Sequence, residues 1–140
     1  MNIETVLSDL ETDEGFSPFA YADTLGYMTI GFGTLIDKRK GGGITQDEGR
    51  YMLRNRLATI LANLDQMKPQ WKTYPQEVQR GLANMAYQLG PVGLIAFKDM
   101  WAALDAKDYA GAAKAALDSQ WAKQTPHRAE HVSGLIKSGA

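Results

Sequence analysis

No cysteine occurs in the 140-residue chain, which excludes a disulfide framework, a thiolate metal site and a thiol nucleophile together. Histidine is nearly as scarce, with two copies, His127 and His131. Their i, i+4 spacing could place two imidazoles on one metal, but no His-Glu-x-x-His pattern accompanies them, and two exposed histidines on a helix account for them as well. No metal and no cofactor are expected. No apolar run approaches the roughly 18 residues that a membrane span needs, and Met1-Asn2-Ile3-Glu4-Thr5 lacks a basic n-region, so neither membrane insertion nor a signal peptide is expected. An excess of charge is missing too: 15 Lys plus Arg stand against 16 Asp plus Glu, a formal net charge of -1. That balance provides no field to hold the chain on nucleic acid. The run Lys38-Arg39-Lys40 beside Gly41-Gly42-Gly43 reads either as a basic patch or as a solvated loop. The serines at 8, 17, 119, 133 and 138 lie in no Gly-x-Ser-x-Gly context, and no phosphate-cradling glycine pattern precedes a helix, which sets aside serine hydrolases and nucleotide binders.

What is present is an ordinary globular composition, 44% apolar and 22% charged, in a chain long enough for one domain. Ile3, Val6, Leu7 and Leu10 recur at helical spacing up to Glu14, and Gly15 follows where a helix end favours glycine. Between Phe16 and Leu35 the strand formers Tyr21, Tyr27, Thr29, Ile30 and Phe32 are interrupted by Gly26, Gly31 and Gly33, a pattern that predicts a small antiparallel sheet. Thr45-Gln46-Asp47-Glu48 has the form of a capping box, and the apolar positions after it hold one helical face until Pro69. A further helix is expected from Pro75 to Gly90-Pro91. Three short ones should follow, at Phe97 to Ala106, Tyr109 to Leu117 and Pro126 to Ile136, the last capped by Thr125. Strands first and helices afterwards indicate an α+β domain with its sheet at one end.

Two carboxylates are candidates for chemistry. Glu14 continues the stripe of residues 3, 7 and 10, where a carboxylate is out of place. At the C-terminal pole of its helix, in apolar surroundings, its protonated form would be favoured, as a general acid requires. A surface glutamate in a fraying last turn fits the spacing equally. Asp23, in Tyr21-Ala22-Asp23-Thr24-Leu25-Gly26, has the usual place of a turn-forming aspartate. Together, nine residues apart with a turn folding back between them, the two meet the paired-carboxylate requirement of glycoside hydrolysis. Asn84 and Gln88 are amides near the end of an otherwise apolar helix, beside Tyr87. Such side chains could bond sugar hydroxyls or N-acetyl groups in a cleft, or simply cap the helix.

Asp13-Glu14-Gly15 and Tyr21-Ala22-Asp23-Thr24-Leu25-Gly26-Tyr27-Met28-Thr29-Ile30-Gly31-Phe32-Gly33 closely resemble the N-terminal signature of the phage-type lysozymes of the T-even phage lysozyme family, glycoside hydrolase family 24. Gly43 to Glu48, Asn84 to Gly90 and Ser119 to Ala129 resemble three later blocks of that family in the same order, so nearly the whole chain is covered. The resemblance implies a catalytic group of Glu14, Asp23 and Thr29, with Glu14 as general acid at the bond between N-acetylmuramic acid and N-acetylglucosamine. It implies that Asp23 and Thr29 activate a water on the opposite sugar face, an inverting hydrolysis whose carboxyls should stand roughly 6.5–9.5 Å apart. Leu35, Asn84, Tyr87, Gln88, Thr125 and Arg128 are the implied substrate-binding residues, and Trp121 falls in the block that packs near the cleft. The implied architecture is one lysozyme domain over residues 1–140. A small N-terminal lobe (about 13–58) bears the sheet, and a larger helical lobe (about 59–140, plus the N-terminal helix) is joined to it by the Thr45 to Lys68 helix. The implied partner is bacterial peptidoglycan. A monomeric endolysin made in the host cytoplasm and acting on the wall after release is the expected deployment.

Two features depart from the family. Thr34 stands where a better-known member has a histidine, and the segment between Leu35 and Ile44 is much shorter. A tail-associated or bacteriocin-linked lysozyme, a glycan-binding domain of the same fold and a glycosidase of chitin-like polymers remain alternatives.

Overall fold

The computed structural model describes residues 1–139, and the chain divides into two compact units, Met1–Met52 and Leu53–Ala140. The first unit opens with helix α1 (Ile3–Glu14), whose N-cap Asn2 accepts a hydrogen bond from the Glu4 amide at 3.0 Å. Gly15 ends it with φ +69, and its amide donates to the Glu11 carbonyl. Strands β1 (Ser17–Ala22), β2 (Tyr27–Gly31) and β3 (Thr34–Lys40) then form an antiparallel sheet in the order β1-β2-β3. In its register Tyr21 faces Thr29 and Thr29 faces Leu35, which sets these three side chains in one row on one face of the sheet. Ile30, paired with Thr34, points to the other face.

The expected sheet is therefore present, but it extends further than its glycine punctuation suggested. Lys38-Arg39-Lys40 belongs to β3 rather than to a loop. Asp37 explains this locally: its Oδ1 accepts from the Arg39 amide at 2.8 Å, its Oδ2 from the Gly43 amide at 3.2 Å, and the Arg39 guanidinium pairs with it at 2.7 Å. Bonds to Arg39 hold the Asp37 carboxyl well below the usual carboxylate range. The strand end is thereby pinned and the chain turns after Lys40.

The capping box forms as its spacing predicts. Thr45 Oγ1 accepts from the Glu48 amide at 3.2 Å, and Glu48 Oε2 accepts from the Thr45 amide at 2.7 Å. Helix α2 (Gln46–Met67) starts there and runs through the boundary between the units.

In the second unit a 3₁₀ turn (Pro69–Thr73) leads to α3 (Gln76–Ile95), α4 (Lys98–Asp105), α5 (Tyr109–Leu117), α6 (Gln120–Gln124) and α7 (Pro126–Lys137). Three details differ from expectation. Gly90, at φ +74, kinks α3 rather than ending it, because Pro91 is tolerated in the first turn of the helical piece that resumes to Ile95. The short α6 was not anticipated, although Ser119 Oγ caps it by accepting from the Ala122 amide at 3.2 Å. Thr125 occupies the cap position of α7, but its hydroxyl turns back to donate to the Trp121 carbonyl at 3.0 Å.

The apolar core lies in this unit. Leu64, Leu82, Met85, Leu94, Met100, Leu104, Val132 and Ile136 are fully buried, each such side chain contributing about 1.5–3 kcal/mol. Polar tips among them find partners: the Trp101 indole donates to the Leu94 carbonyl at 3.0 Å, the Trp71 indole to Asp65 at 2.8 Å, and the Tyr74 hydroxyl to Asp105 at 2.5 Å. No helix among the described residues is long and apolar enough to cross a membrane.

Candidate active site

A cavity of about 470 Å³ in the first unit is lined by Glu14, Tyr21, Asp23, Tyr27, Thr29, Gly33, Leu35 and Lys38. The three residues singled out as catalytic thus share one concavity, with Leu35 beside them. Each arrives from a different element. Glu14 ends α1, Asp23 opens the β1-β2 turn, and Thr29 stands on the central strand in the Tyr21-Thr29-Leu35 row.

Asp23 is both the turn former and a cavity residue. Its Oδ1 accepts from the amides of Leu25 at 2.9 Å and Tyr27 at 2.8 Å, while its backbone closes the turn with Tyr27 and Gly26. This Asx-type arrangement occupies one carboxylate oxygen. Among the described residues Oδ2 has no hydrogen-bond donor, so one face of the group remains free for chemistry. Thr29 is 5% exposed, the one buried polar residue of the sheet, and its hydroxyl donates to the Tyr27 carbonyl at 3.3 Å. That bond is long enough to be exchanged readily.

Glu14 is exposed, in place of the apolar surroundings expected from its stripe, since Ile3, Val6, Leu7 and Leu10 are themselves 36–56% exposed. Its carboxyl lies directly against the backbone of Gly33. A Cβ built on Gly33 would sit 2.3 Å from Glu14 Oε2 and 2.8 Å from Cδ, and Gly33 has φ +68. The left-handed backbone favours glycine there, and any Cβ would force the Glu14 carboxyl to move.

Sequence reasoning missed four lining residues: Tyr21, Tyr27, Gly33 and Lys38. Strict alternation along β3 would set Lys38 on the face opposite Leu35; the irregular register between the Thr29–Leu35 and Tyr27–Lys40 pairs lets both line the cavity, and no signal in the sequence marked it. Lys40, two residues on, places its ammonium 5.9 Å from the Tyr27 ring centre.

The remaining candidates lie in the helical unit. Asn84, Tyr87 and Arg128 line a cavity of about 410 Å³ together with Leu53, Leu57, Arg80, Ala83, His131 and Leu135. The Arg56 guanidinium lies 5.8 Å from the Tyr87 ring centre, and Asn84 Oδ1 is buried without a hydrogen-bond partner. Gln88 and Thr125 are brought together instead by Trp121, to which both are hydrogen-bonded. A larger cavity, about 640 Å³, is lined by Ala96 to Met100, Gly111, Lys114, Ala115, Asp118 and Ser119. It holds none of the candidate residues, and its Lys114 and Asp118 form an ion pair at 2.6 Å.

The sequence is similar to several known proteins. It is 32% identical to the pre-baseplate central spike protein of Enterobacteria phage T4, an alignment covering 93% of this chain and 27% of the spike protein. It is 25% identical to "Probable T4-type lysozyme 1" of Dictyostelium discoideum, covering 98% of this chain and 96% of the relative. A second such Dictyostelium protein is 26% identical over 93% and 92% of the two chains. The chain therefore spans about a quarter of the spike protein and nearly all of the two lysozymes. The phage lysozyme family matches residues 11–138, which contain the whole cavity of Glu14, Asp23 and Thr29, and the chain belongs to that family.

Proposed function

We propose that this protein is a muramidase that hydrolyses the β-1,4 bond between N-acetylmuramic acid and N-acetylglucosamine in bacterial peptidoglycan. The single observation that carries this reading is the cavity in which two carboxylates from different elements, Glu14 and Asp23, face a buried threonine, Thr29. Glu14 is the general acid that protonates the bridging oxygen, and its exposed carboxyl at a helix end is open to a polymeric substrate. Asp23, with Oδ1 held by two amides, keeps its orientation while Oδ2 takes a proton from water. Thr29 orients that water. The outcome is inversion at the anomeric carbon, because the base delivers water to the face opposite the acid. Leu35 lines the reacting sugar's place, and Asn84, Tyr87, Gln88, Thr125 and Arg128 supply glycan contacts, within one lysozyme domain arranged as the family resemblance implies.

The test is turbidity loss of outer-membrane-stripped Gram-negative walls, with mass analysis of the fragments. The parent protein is expected to release reducing N-acetylmuramic ends, and Glu14→Gln to lose about two to four orders of magnitude in rate. Equal lysis by the variant would remove Glu14 from the mechanism.

Deployment has two readings. A free endolysin agrees with the likeness to the two Dictyostelium proteins called probable T4-type lysozymes. A lysozyme unit serving a phage tail is favoured by the higher identity to a baseplate spike protein, 32% against 25–26%. Sequencing the genes beside this one separates them: holin-type neighbours support the first, tail and baseplate neighbours the second.

A further inference from the structure

Two members of the basic run Lys38-Arg39-Lys40 are engaged within the sheet. The Arg39 guanidinium pairs with Asp37 at 2.7 Å, and the Lys40 ammonium lies 5.9 Å from the Tyr27 ring centre. Lys38 is left over. It is exposed, forms no ion pair among the described residues, and lines the cavity of Glu14, Asp23 and Thr29. A bulge delivers it there. Between the Thr29–Leu35 and Tyr27–Lys40 pairs, Met28 alone on β2 stands against Ile36, Asp37, Lys38 and Arg39 on β3, so the strand departs from alternation and Lys38 reaches the same cavity as Leu35.

Asp23 holds its Oδ1 on two backbone amides and Glu14 lies against Gly33, and neither carboxylate is paired with Lys38. Two carboxylates repel an anionic substrate, and an ammonium beside them restores attraction for one that carries its charge on a branch. Lysine is a compact point charge with three donors on a flexible stem, which suits a mobile carboxylate better than a ring hydroxyl. A polymer of N-acetylglucosamine alone has no such group. N-acetylmuramic acid has one on its lactyl branch: the lactyl carboxyl itself in bare strands, and the carboxyls of the stem peptide where a peptide is joined to it.

We propose that Lys38 is a specificity-determining residue whose ammonium binds a carboxylate on the lactyl branch of N-acetylmuramic acid, so that the state of that carboxyl, free or amidated, governs how well a wall is bound. The inference rests on the proposed peptidoglycan substrate and deepens it by naming the charged group that is read. Arg39 and Lys40 take no part, since each already has its partner in the sheet. One partly exposed ion pair of this kind corresponds to about fivefold in affinity.

The experiment measures co-sedimentation of the full chain, in the cold, with native insoluble peptidoglycan and with the same walls after their carboxyls are amidated by carbodiimide and ammonium. Soluble strands stripped of their stems by an amidase, which frees the lactyl carboxyl, enter as competitors. Melting curves and circular dichroism establish that each variant is folded. If the stem carboxylate is read, the parent binds native walls about fivefold more tightly than amidated ones; if the lactyl carboxylate is read, stripped strands displace it about fivefold better than they displace Lys38→Met. Lys38→Met should lose whichever effect the parent shows, and Lys38→Arg should keep it. Lys123→Met makes the same change of net charge in the other unit and should also keep it. If Lys38→Met does not fold, Lys38→Gln carries the test. A parent that shows neither effect, or a folded Lys38→Met that retains the parent's effect, overturns the inference. Walls bound in this manner but never hydrolysed would instead sink the muramidase reading and leave this one standing.

Discussion

Gly33 and Glu14 illustrate how one side chain's chemistry depends on another's absence. Any residue with a Cβ at position 33 meets the Glu14 carboxyl at 2.3 Å and must also adopt φ +68, a backbone state costing about 1–2 kcal/mol for non-glycine residues. The atoms it meets are the far end of a flexible chain, so Glu14 swings away and the fold survives. Gly33→Ala should accordingly lose about 1–2 kcal/mol of stability while cutting wall hydrolysis at least tenfold, through a lower kcat. Chemical denaturation and initial rates on the same preparation check both halves. Unchanged kcat would mean that the carboxyl works from its displaced position. Asp23 makes a related point: its turn role and its proposed chemical role are compatible because they use different oxygens of one carboxylate. Spacing alone set those two readings against each other.

Among the elements, the junction between the 3₁₀ turn Pro69–Thr73 and helix α4 depends on a single polar link. Tyr74, 8% exposed, donates its hydroxyl to Asp105 at 2.5 Å and packs its ring 6.3 Å from that of Trp101. Burial, and then the bond to Asp105, push the Tyr74 phenol well above its ordinary value of about 10. A folded-state pKa raised in this way contributes stability that is complete below pH 10 and is lost as pH climbs toward the folded value, because the unfolded chain releases its proton first. Tyr74→Phe should cost about 1 kcal/mol at pH 7, and the gap between parent and variant should narrow steadily above pH 10. Urea midpoints measured from pH 7 to 11 decide it, and a gap that widens with pH would contradict the assignment. The kinked α3 carries a different lesson. Gly90-Pro91 punctuates the sequence as a stop, yet proline is compatible with a first turn, so the chain bends and continues.

Across the whole molecule burial is uneven. The core residues from Leu64 to Ile136 all lie in the second unit, whereas Thr29 is the one buried residue of the first among the described residues. Local opening follows buried apolar area, so amides of β1 to β3 should exchange hydrogen at lower opening free energies than those of α3, α5 and α7. Native-state hydrogen exchange would register this directly, and equal protection would show the two units unfolding as one. Leu82→Ala, in the buried face of α3, should lower the stability of the helical unit by about 2–5 kcal/mol. Net charge acts at the same scale. With a formal charge of -1 the molecule lacks a long-range pull toward an anionic wall, so its initial lysis rate should change less than threefold between about 20 and 200 mM salt. A steep fall with salt would point to local basic clusters governing the encounter.

Local rules were enough for much of this protein. The stop at Gly15, the capping box at Thr45 and the sheet between Phe16 and Leu35 follow from residue type and spacing, because caps, alternation and turns are satisfied within a few residues, whereas spacing offered Glu14 and Asp23 only as candidates and Thr29 only as a strand former. The family resemblance assigned roles to those three that spacing left open. Other features depend on atoms distant in sequence and could be read only from tertiary structure. A Cβ at position 33 would meet a carboxyl 19 residues earlier, Glu14 and Lys38 line one cavity from α1 and β3, and the Trp121 indole bonds Gln88 from another helix. Each of these brings together groups whose separation along the chain carries no periodic signal. Only the packing that brings them together defines what each can do.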